Sequence, residues 1–380
     1  MKKILIFSLA YYPRYVSGAE AAVKEITGRI SDIEFHMVTL RFDEADALDE
    51  KLGNVLVHRV GGGSYIGKML FPLSAAFAAR RLHLTEHFDA AWAMMTYMLL
   101  PLAVARMLGV RIPYVLTLQD GDPYEKVFGR LRIVPFLPLI DRGFMHAAVI
   151  QCISKYLSAW PGRRGSTAPV ELVYNGGNPR DLKDAVSVQE IADIQVKLGK
   201  RPGDVFLVNT SRLVHQKGND TTIRALPLLP NNIKLVLVGG GEDEHMLKSL
   251  AEELGVADRV VFTGQVDRDV VTLYRRACDI FVAPSRSEGL GNAFISALAS
   301  RLPLVTTGVG GIADYAIDRE TAWLVPVDDP QAIATKVKEV LANPQKAKEI
   351  SDRARAMVER DYDWDTIAVQ MRQKVFSKVI

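Results

Sequence analysis

Arg212 and Lys217 stand in one short stretch, Ser211-Arg212-Leu213-Val214-His215-Gln216-Lys217-Gly218, directly after an apolar run. A planar guanidinium matches phosphate oxygens, and a lysine ammonium supplies a point charge on a flexible stem. Further along, Glu288-Gly289-Leu290-Gly291 forms a turn before Ala293, Phe294, Ala297 and Leu298, which recur at helical spacing. Gly291 and Asn292 fall at that helix start, where free backbone N–H groups and the helix dipole favour an anion. Two more glycine turns, Gly239-Gly240-Gly241 and Gly308-Val309-Gly310-Gly311, close apolar runs in the same half of the chain. Glycine turns at adjacent strand ends would face one crevice, the usual ligand site of a parallel sheet. Taken singly, each stretch also reads as an ordinary solvated or glycine-capped loop.

The elements that must position these residues alternate between strand and helix patterns, which predicts an α/β protein with parallel sheets. Strands are expected near Ile4–Phe7, Glu34–Leu40, Val55–Val60, Asp89–Met94, Pro113–Thr117, Ala147–Cys152 and Val170–Tyr174. The breakers Tyr174 to Pro179 close this half, and a polar segment up to Arg201-Pro202-Gly203 reads as a linker. Alternation restarts with strands at Val205–Thr210, Lys234–Val238, Val260–Phe262, Asp279–Ala283, Pro303–Thr306 and Ala322–Val325. A helix is expected after each of the first five, and the chain turns helical beyond Pro330. The expected organisation is a first domain over 1–178, a linker over 179–203, a second domain over 204–360 and a terminal helix over 361–380.

At 380 residues the chain is long for one core and comfortable for two. A net charge of +3 is too small to argue for nucleic acid. Cys152 and Cys278 lie far apart in apolar runs and read as buried, reduced thiols, which suits the cytoplasm. Met1 to Arg14 mimics a signal peptide, but bulky Tyr11-Tyr12-Pro13 stands where small residues should precede cleavage. A first buried strand is the better reading. Ala90 to Ala105 is interrupted by Thr96 and Pro101 and falls short of a bilayer span.

Taken together, these motifs resemble the retaining nucleotide-sugar glycosyltransferases of family 4, glycosyl transferases group 1, which have the GT-B fold. The family's hallmark is a Glu, seven residues, then a second Glu. Glu288 fits the first position and Ser296 stands at the second. Arg212 and Lys217-Gly218, followed by Asp220, resemble the family's Arg…Lys-Gly element, and Gly239-Gly240-Gly241 its second glycine turn. Phe262-Thr263-Gly264-Gln265-Val266 resembles the loop that meets the nucleotide base. In the first half, Gly18 fits one of the paired glycines near the donor phosphates, and Gln119 occupies the place of a His near the donor sugar.

The resemblance implies two Rossmann-like, doubly wound domains facing a cleft, with the C-terminal helix crossing back to the first. It implies transfer of a sugar from a nucleoside diphosphate to a glycan, lipid-linked or other hydroxyl acceptor, with retention, in cell-surface polysaccharide or glycoconjugate synthesis. The expected catalytic residues are Arg212, Lys217, Glu288, Gln119 and Asp120. The expected donor contacts are Gly18, Gly239, Gly240, Gly241, Gln265, Val266, Gly289, Leu290, Gly291, Asn292 and Ser296. A serine at 296 is shorter than the family's Glu, so it would hold a ribose through water or leave the ribose hydroxyls to solvent. No cofactor or metal is expected. Asp120-Gly121-Asp122 spells a D-x-D, the metal motif of the other glycosyltransferase fold, GT-A, and reads better as chance. Basic amphipathic stretches at Lys68–Arg81 and Lys126–Phe136 suit peripheral membrane contact at the inner face, or ordinary helices packed on the sheet. The rival readings are a catalytically degenerate nucleotide-sugar-binding protein and a GT-B isomerase.

Overall fold

The computed structural model describes residues 1–380 except Tyr15 and Ala185. Two compact units emerge, one formed by Met1–Asn175 with Trp364–Ile380 and the other by Gly176–Asp363.

The first unit is built on eight strands: β1 (Lys2–Phe7), β2 (Ile33–Leu40), β3 (Asp49–Leu52), β4 (Val55–Val60), β5 (Ala90–Met94), β6 (Tyr114–Leu118), β7 (Val149–Cys152) and β8 (Val170–Leu172). Their order is β3-β4-β2-β1-β5-β6-β7-β8. All neighbours run parallel except β3, which pairs antiparallel with β4. β5, β6 and β7 are buried along their whole length, as expected of strands covered on both faces. The C-terminal segment does return to this unit. Trp364, Ile367, Met371, Val375 and Phe376 join Ile6, Phe35, Trp92 and Val115 in one core. The Phe376 ring stands edge-on to Trp92 at 5.1 Å. The expected single helix is instead an α-helix, Trp364–Gln370, that widens into a π turn at Met371–Val375.

The second unit carries β9 (Val205–Thr210), β10 (Ile233–Val238), β11 (Val260–Phe262), β12 (Ile280–Ala283), β13 (Leu304–Thr306) and β14 (Trp323–Leu324). They lie in the order β11-β10-β9-β12-β13-β14 and pair parallel. In place of a full helix after β13 there is a short 3-10 turn, Gly310–Asp314. The segment expected as a linker belongs to this unit. Asp181, fully buried, is paired with Arg275 and accepts from the Ser300 hydroxyl at 2.7 Å. Ser187 caps the helix Val188–Lys197, with the Glu190 carboxylate accepting from the Ser187 N–H at 2.8 Å. A buried charge that has found its partner holds this stretch down, although its polar composition resembles a tether.

Candidate functional site

Among the parallel strands of each sheet the order reverses once, between β1 and β5 in the first unit and between β9 and β12 in the second. Ligands of doubly wound sheets bind beyond the strand C-termini at that reversal.

In the second unit the loops that leave β9 and β12 meet there. Gly218 has φ +66, and a Cβ at this position would lie 2.2 Å from the Pro284 carbonyl oxygen. No other residue lets the Lys217 corner press so closely on the end of β12. Gln216 donates to the Ser287 carbonyl at 2.8 Å, and the Arg286 N–H returns to the Gln216 carbonyl at 2.8 Å. Arg286 forks onto Asp220 at 2.9 and 2.8 Å and reaches Asp328 at 2.6 Å. Burial would raise the Asp220 carboxyl, but the Arg286 bonds carry it below the usual range, so the loops are stapled by a fixed ion pair.

This frame brings Lys217 and Glu288 together. The Lys217 ammonium lies 2.6 Å from Glu288 Oε1, and the Ser285 hydroxyl donates to the same oxygen at 3.2 Å. Glu288 is 5% exposed, and Lys217 is the cation that compensates its carboxylate. Its carbonyl accepts from the Gly311 N–H at 3.0 Å, and Gly310, at φ +56, sits against it where a Cβ would lie only 2.0 Å away. The two glycine turns expected to share a crevice are therefore in direct backbone contact. Arg212 is exposed and makes no ion pair among the described residues. Of the two cations expected to meet the donor's phosphates, Arg212 is exposed and Lys217 is half-buried against Glu288.

The other turns extend the same rim. Leu213 N–H donates to the Gly240 carbonyl at 3.0 Å, and Gly239 N–H to the Gly264 carbonyl at 3.1 Å. Gly241 packs on the Leu213 carbonyl. Gln265 beyond them is exposed and Val266 half-buried. Gly289 and Leu290 are buried, and the Leu290 carbonyl is taken by the Tyr315 hydroxyl at 2.8 Å. Gly291 and Asn292 open the helix Asn292–Ala299 without a side-chain cap.

Ser296 departs from expectation. Its hydroxyl donates to the Asn292 carbonyl at 2.9 Å and accepts from the Asn178 N–H at 2.8 Å, and the residue is 5% exposed. The expected path from this hydroxyl to a ribose through water is taken up by the chain itself.

In the first unit, Gly18 opens the exposed start of the helix Gly18–Thr27, where the Glu20 carboxylate accepts from the Ser17 N–H at 2.7 Å. Gln119 and Asp120 follow β6 and are buried. Gln119 Oε1 accepts from Asn175 at 3.1 Å, whereas its Nε2 is buried with no partner among the described residues. Asp120 accepts from the Thr96 hydroxyl at 3.0 Å and its N–H at 3.4 Å. Burial pushes the Asp120 carboxyl up to about 6. Asp122 turns instead to Arg130 and to Lys126, 2.8 Å away, so the two carboxylates of the D-x-D serve different partners. Beside them Met95 holds φ +73, a backbone state that a non-glycine residue keeps only under constraint. Sequence reasoning missed Thr96, Met95 and Arg286. Their only signal was position, at or just past a strand end.

Among the described residues, Glu34, His36 and Glu86 place ligand atoms within 4.8 Å of one another. The Lys3 ammonium already sits there, 2.6 Å from Glu86 and 3.4 Å from Glu34, and supplies the positive charge such a cluster needs.

Residues 190–357 match the family model described as glycosyl transferases group 1. The chain is 28% identical over 387 residues to a GDP-mannose-dependent alpha-(1-6)-phosphatidylinositol monomannoside mannosyltransferase of Mycobacterium tuberculosis, covering 98% of this chain and 97% of that one. It is 33% identical over 203 residues to an uncharacterized glycosyltransferase of Methanocaldococcus jannaschii, a match that spans about half of each (52%). Among solved structures, sucrose-phosphate synthase from Thermosynechococcus elongatus superposes with TM-score 0.85 at 22% identity, covering 99% of both chains. HepE of Anabaena, in complex with UDP and glucose, gives 0.82 at 21%, covering 99% of this chain and 100% of that one.

Proposed function

We propose that the chain, which has the two-domain GT-B fold and matches the glycosyl transferases group 1 model over residues 190–357, moves a sugar from a nucleoside-diphosphate sugar to a hydroxyl acceptor with retention at the anomeric carbon. The observation that carries this reading is the Lys217–Glu288 pair at the β9/β12 reversal, with Arg212 exposed on the loop that also carries Lys217. As the glycosidic bond breaks, negative charge grows on the departing diphosphate. Fixed cations there stabilise the transition state more than the ground state. In this reading Lys217 exchanges Glu288 for phosphate oxygens, and Glu288 is then free to accept hydrogen bonds from the sugar. The departing phosphate takes the acceptor's proton on the same face, so no protein base is needed. Arg212, Lys217 and the helix start at Gly291 supply the positive potential, and divalent metal is dispensable.

A glycan or lipid-linked acceptor and peripheral membrane contact are supported by the helix Tyr65–Glu86. It exposes Ile66, Met69, Leu70, Leu73 and Phe77, carries Lys68, Arg80 and Arg81, and has no acidic residue before Glu86. Such a face suits an anionic lipid surface. No helix of the described residues is long and apolar enough to cross a membrane. We place the protein in the cytoplasm, where nucleotide sugars are made.

The test is calorimetric titration with GDP-mannose and UDP-glucose, followed by release of the nucleoside diphosphate. GDP-mannose comes first because the mycobacterial relative is named for it. Binding with slow turnover that an alcohol acceptor accelerates is expected. A protein that binds no nucleotide sugar would overturn the reading.

A further inference from the structure

At the opposite end of β6 from Gln119 and Asp120, the helices Leu99–Met107 and Leu137–Met145 leave a groove of about 300 Å³. Its floor is apolar, made by Leu99, Leu102 and Leu139. The helices approach closely there because position 143 is glycine; a Cβ would lie 2.9 Å from a Leu99 methyl. The rim carries Arg106, Arg111 and Arg142, with His146 beside them, and no carboxylate lines the groove among the described residues. Arg106 is already fixed, donating to the Ile112 carbonyl at 2.7 Å and lying over the Tyr114 ring at 5.2 Å. Arg111 and Arg142 are exposed and make no ion pair among the described residues. Asp141, the carboxylate next in sequence, is committed to Arg164.

In a chain whose arginines mostly find carboxylates, three arginines around one apolar floor form an unneutralised site. Arginine forks fit the oxygens of a phosphate, and the floor fits an aliphatic body. We propose that this groove binds a phosphate monoester carrying an apolar chain, at a site separate from the one that handles the nucleotide sugar. The phosphate lies between Arg111 and Arg142, and the chain lies on Leu99, Leu102 and Leu139.

Calorimetric titration of the full chain with octyl phosphate, inorganic phosphate and octyl glucoside tests this. Octyl phosphate is expected to bind more tightly than either control. Arg111→Ala/Arg142→Ala should weaken it about tenfold or more while leaving the thermal midpoint and nucleotide-sugar turnover unchanged. Ala103→Phe, which fills the groove and keeps all three arginines, should weaken octyl phosphate but not inorganic phosphate. Equal affinity for octyl phosphate and inorganic phosphate would remove the apolar half of the site. Octyl phosphate binding that survives both variants would show general attraction to a basic surface and overturn the proposal.

Discussion

The two strand-order reversals are built on opposite principles. In the second unit, charges are paired and backbone is locked. Arg286 holds Asp220, Lys217 holds Glu288, and glycine turns sit carbonyl against Cα. In the first unit, polar groups are buried and left short. Gln119 Nε2 has no partner among the described residues, Asp120 keeps its proton up to about pH 6, and Met95 holds a left-handed backbone. A paired site is ready to exchange one fixed partner for a charged ligand at small reorganisation cost. A short-changed site stores unsatisfied donors that a hydroxyl-rich ligand would relieve.

The sharpest test of this contrast lies within the second unit. Lys217→Ala and Arg212→Ala are each expected to lower turnover by about two to three decades, the typical cost of losing one preorganised charge stabiliser. They should differ in stability. Removing Lys217 strands the buried Glu288 carboxylate, which costs about 3–5 kcal/mol, whereas Arg212 is exposed and its loss should leave the melting midpoint in place. Steady-state kinetics and thermal melts on both variants decide it. Normal turnover in either would end its assignment.

The first unit should respond in the opposite sense to loss of a charge. The Asp120 carboxyl rises from 3.8 to about 6, roughly two units, on burial. Between those values the folded chain holds a proton that the unfolded chain has released, so stability falls as pH rises through the window. Above pH 6 the buried charge costs about 3 kcal/mol at ~1.4 kcal/mol per unit. Asp120→Asn should therefore raise the melting midpoint at pH 8 and flatten the slope between pH 4 and 6. Unchanged melting at pH 8 would mean Asp120 is not strained.

A smaller effect is expected at Ser296. Ser296→Ala orphans the Asn178 N–H and should cost about 1–3 kcal/mol of stability with little change in donor affinity. A donor-affinity loss as large as the stability loss would restore Ser296 to the ligand. The smallest effect should come from chelation. EDTA should leave turnover unchanged, and activity abolished by chelator and restored by manganese or magnesium would break the metal-free reading.

Much of this was legible in residue order. Apolar runs gave the parallel strands of both sheets, because buried strands leave a local signature. β3, with the sequence Asp-Glu-Lys-Leu, did not, since an antiparallel edge strand is specified by its partner β4. The two cations and the glycine turns were readable because type and spacing carry their chemistry. That Lys217 faces Glu288, that Arg286 staples the loops and that Ser296 is consumed by Asn178 are contacts between residues distant in sequence. Asp181 shows the same limit. One buried carboxylate turned an apparent tether into part of a core.

The return of Trp364–Ile380 into the first core has a consequence for how the chain comes off the ribosome. The second unit is continuous from Gly176 to Asp363 and has all its strands before Trp364 is made. The first unit, although it emerges earlier, lacks Trp364, Met371, Val375 and Phe376 until the second unit has been made. Each such side chain contributes about 1.5–3 kcal/mol when buried. The usual N-terminal-first order of domain folding is therefore expected to be reversed here. A chain cut after Asp363 should keep hydrogen-exchange protection in β9–β13 and lose it in β1, β2 and β5; protection retained in all three would mean the first unit closes without its last segment.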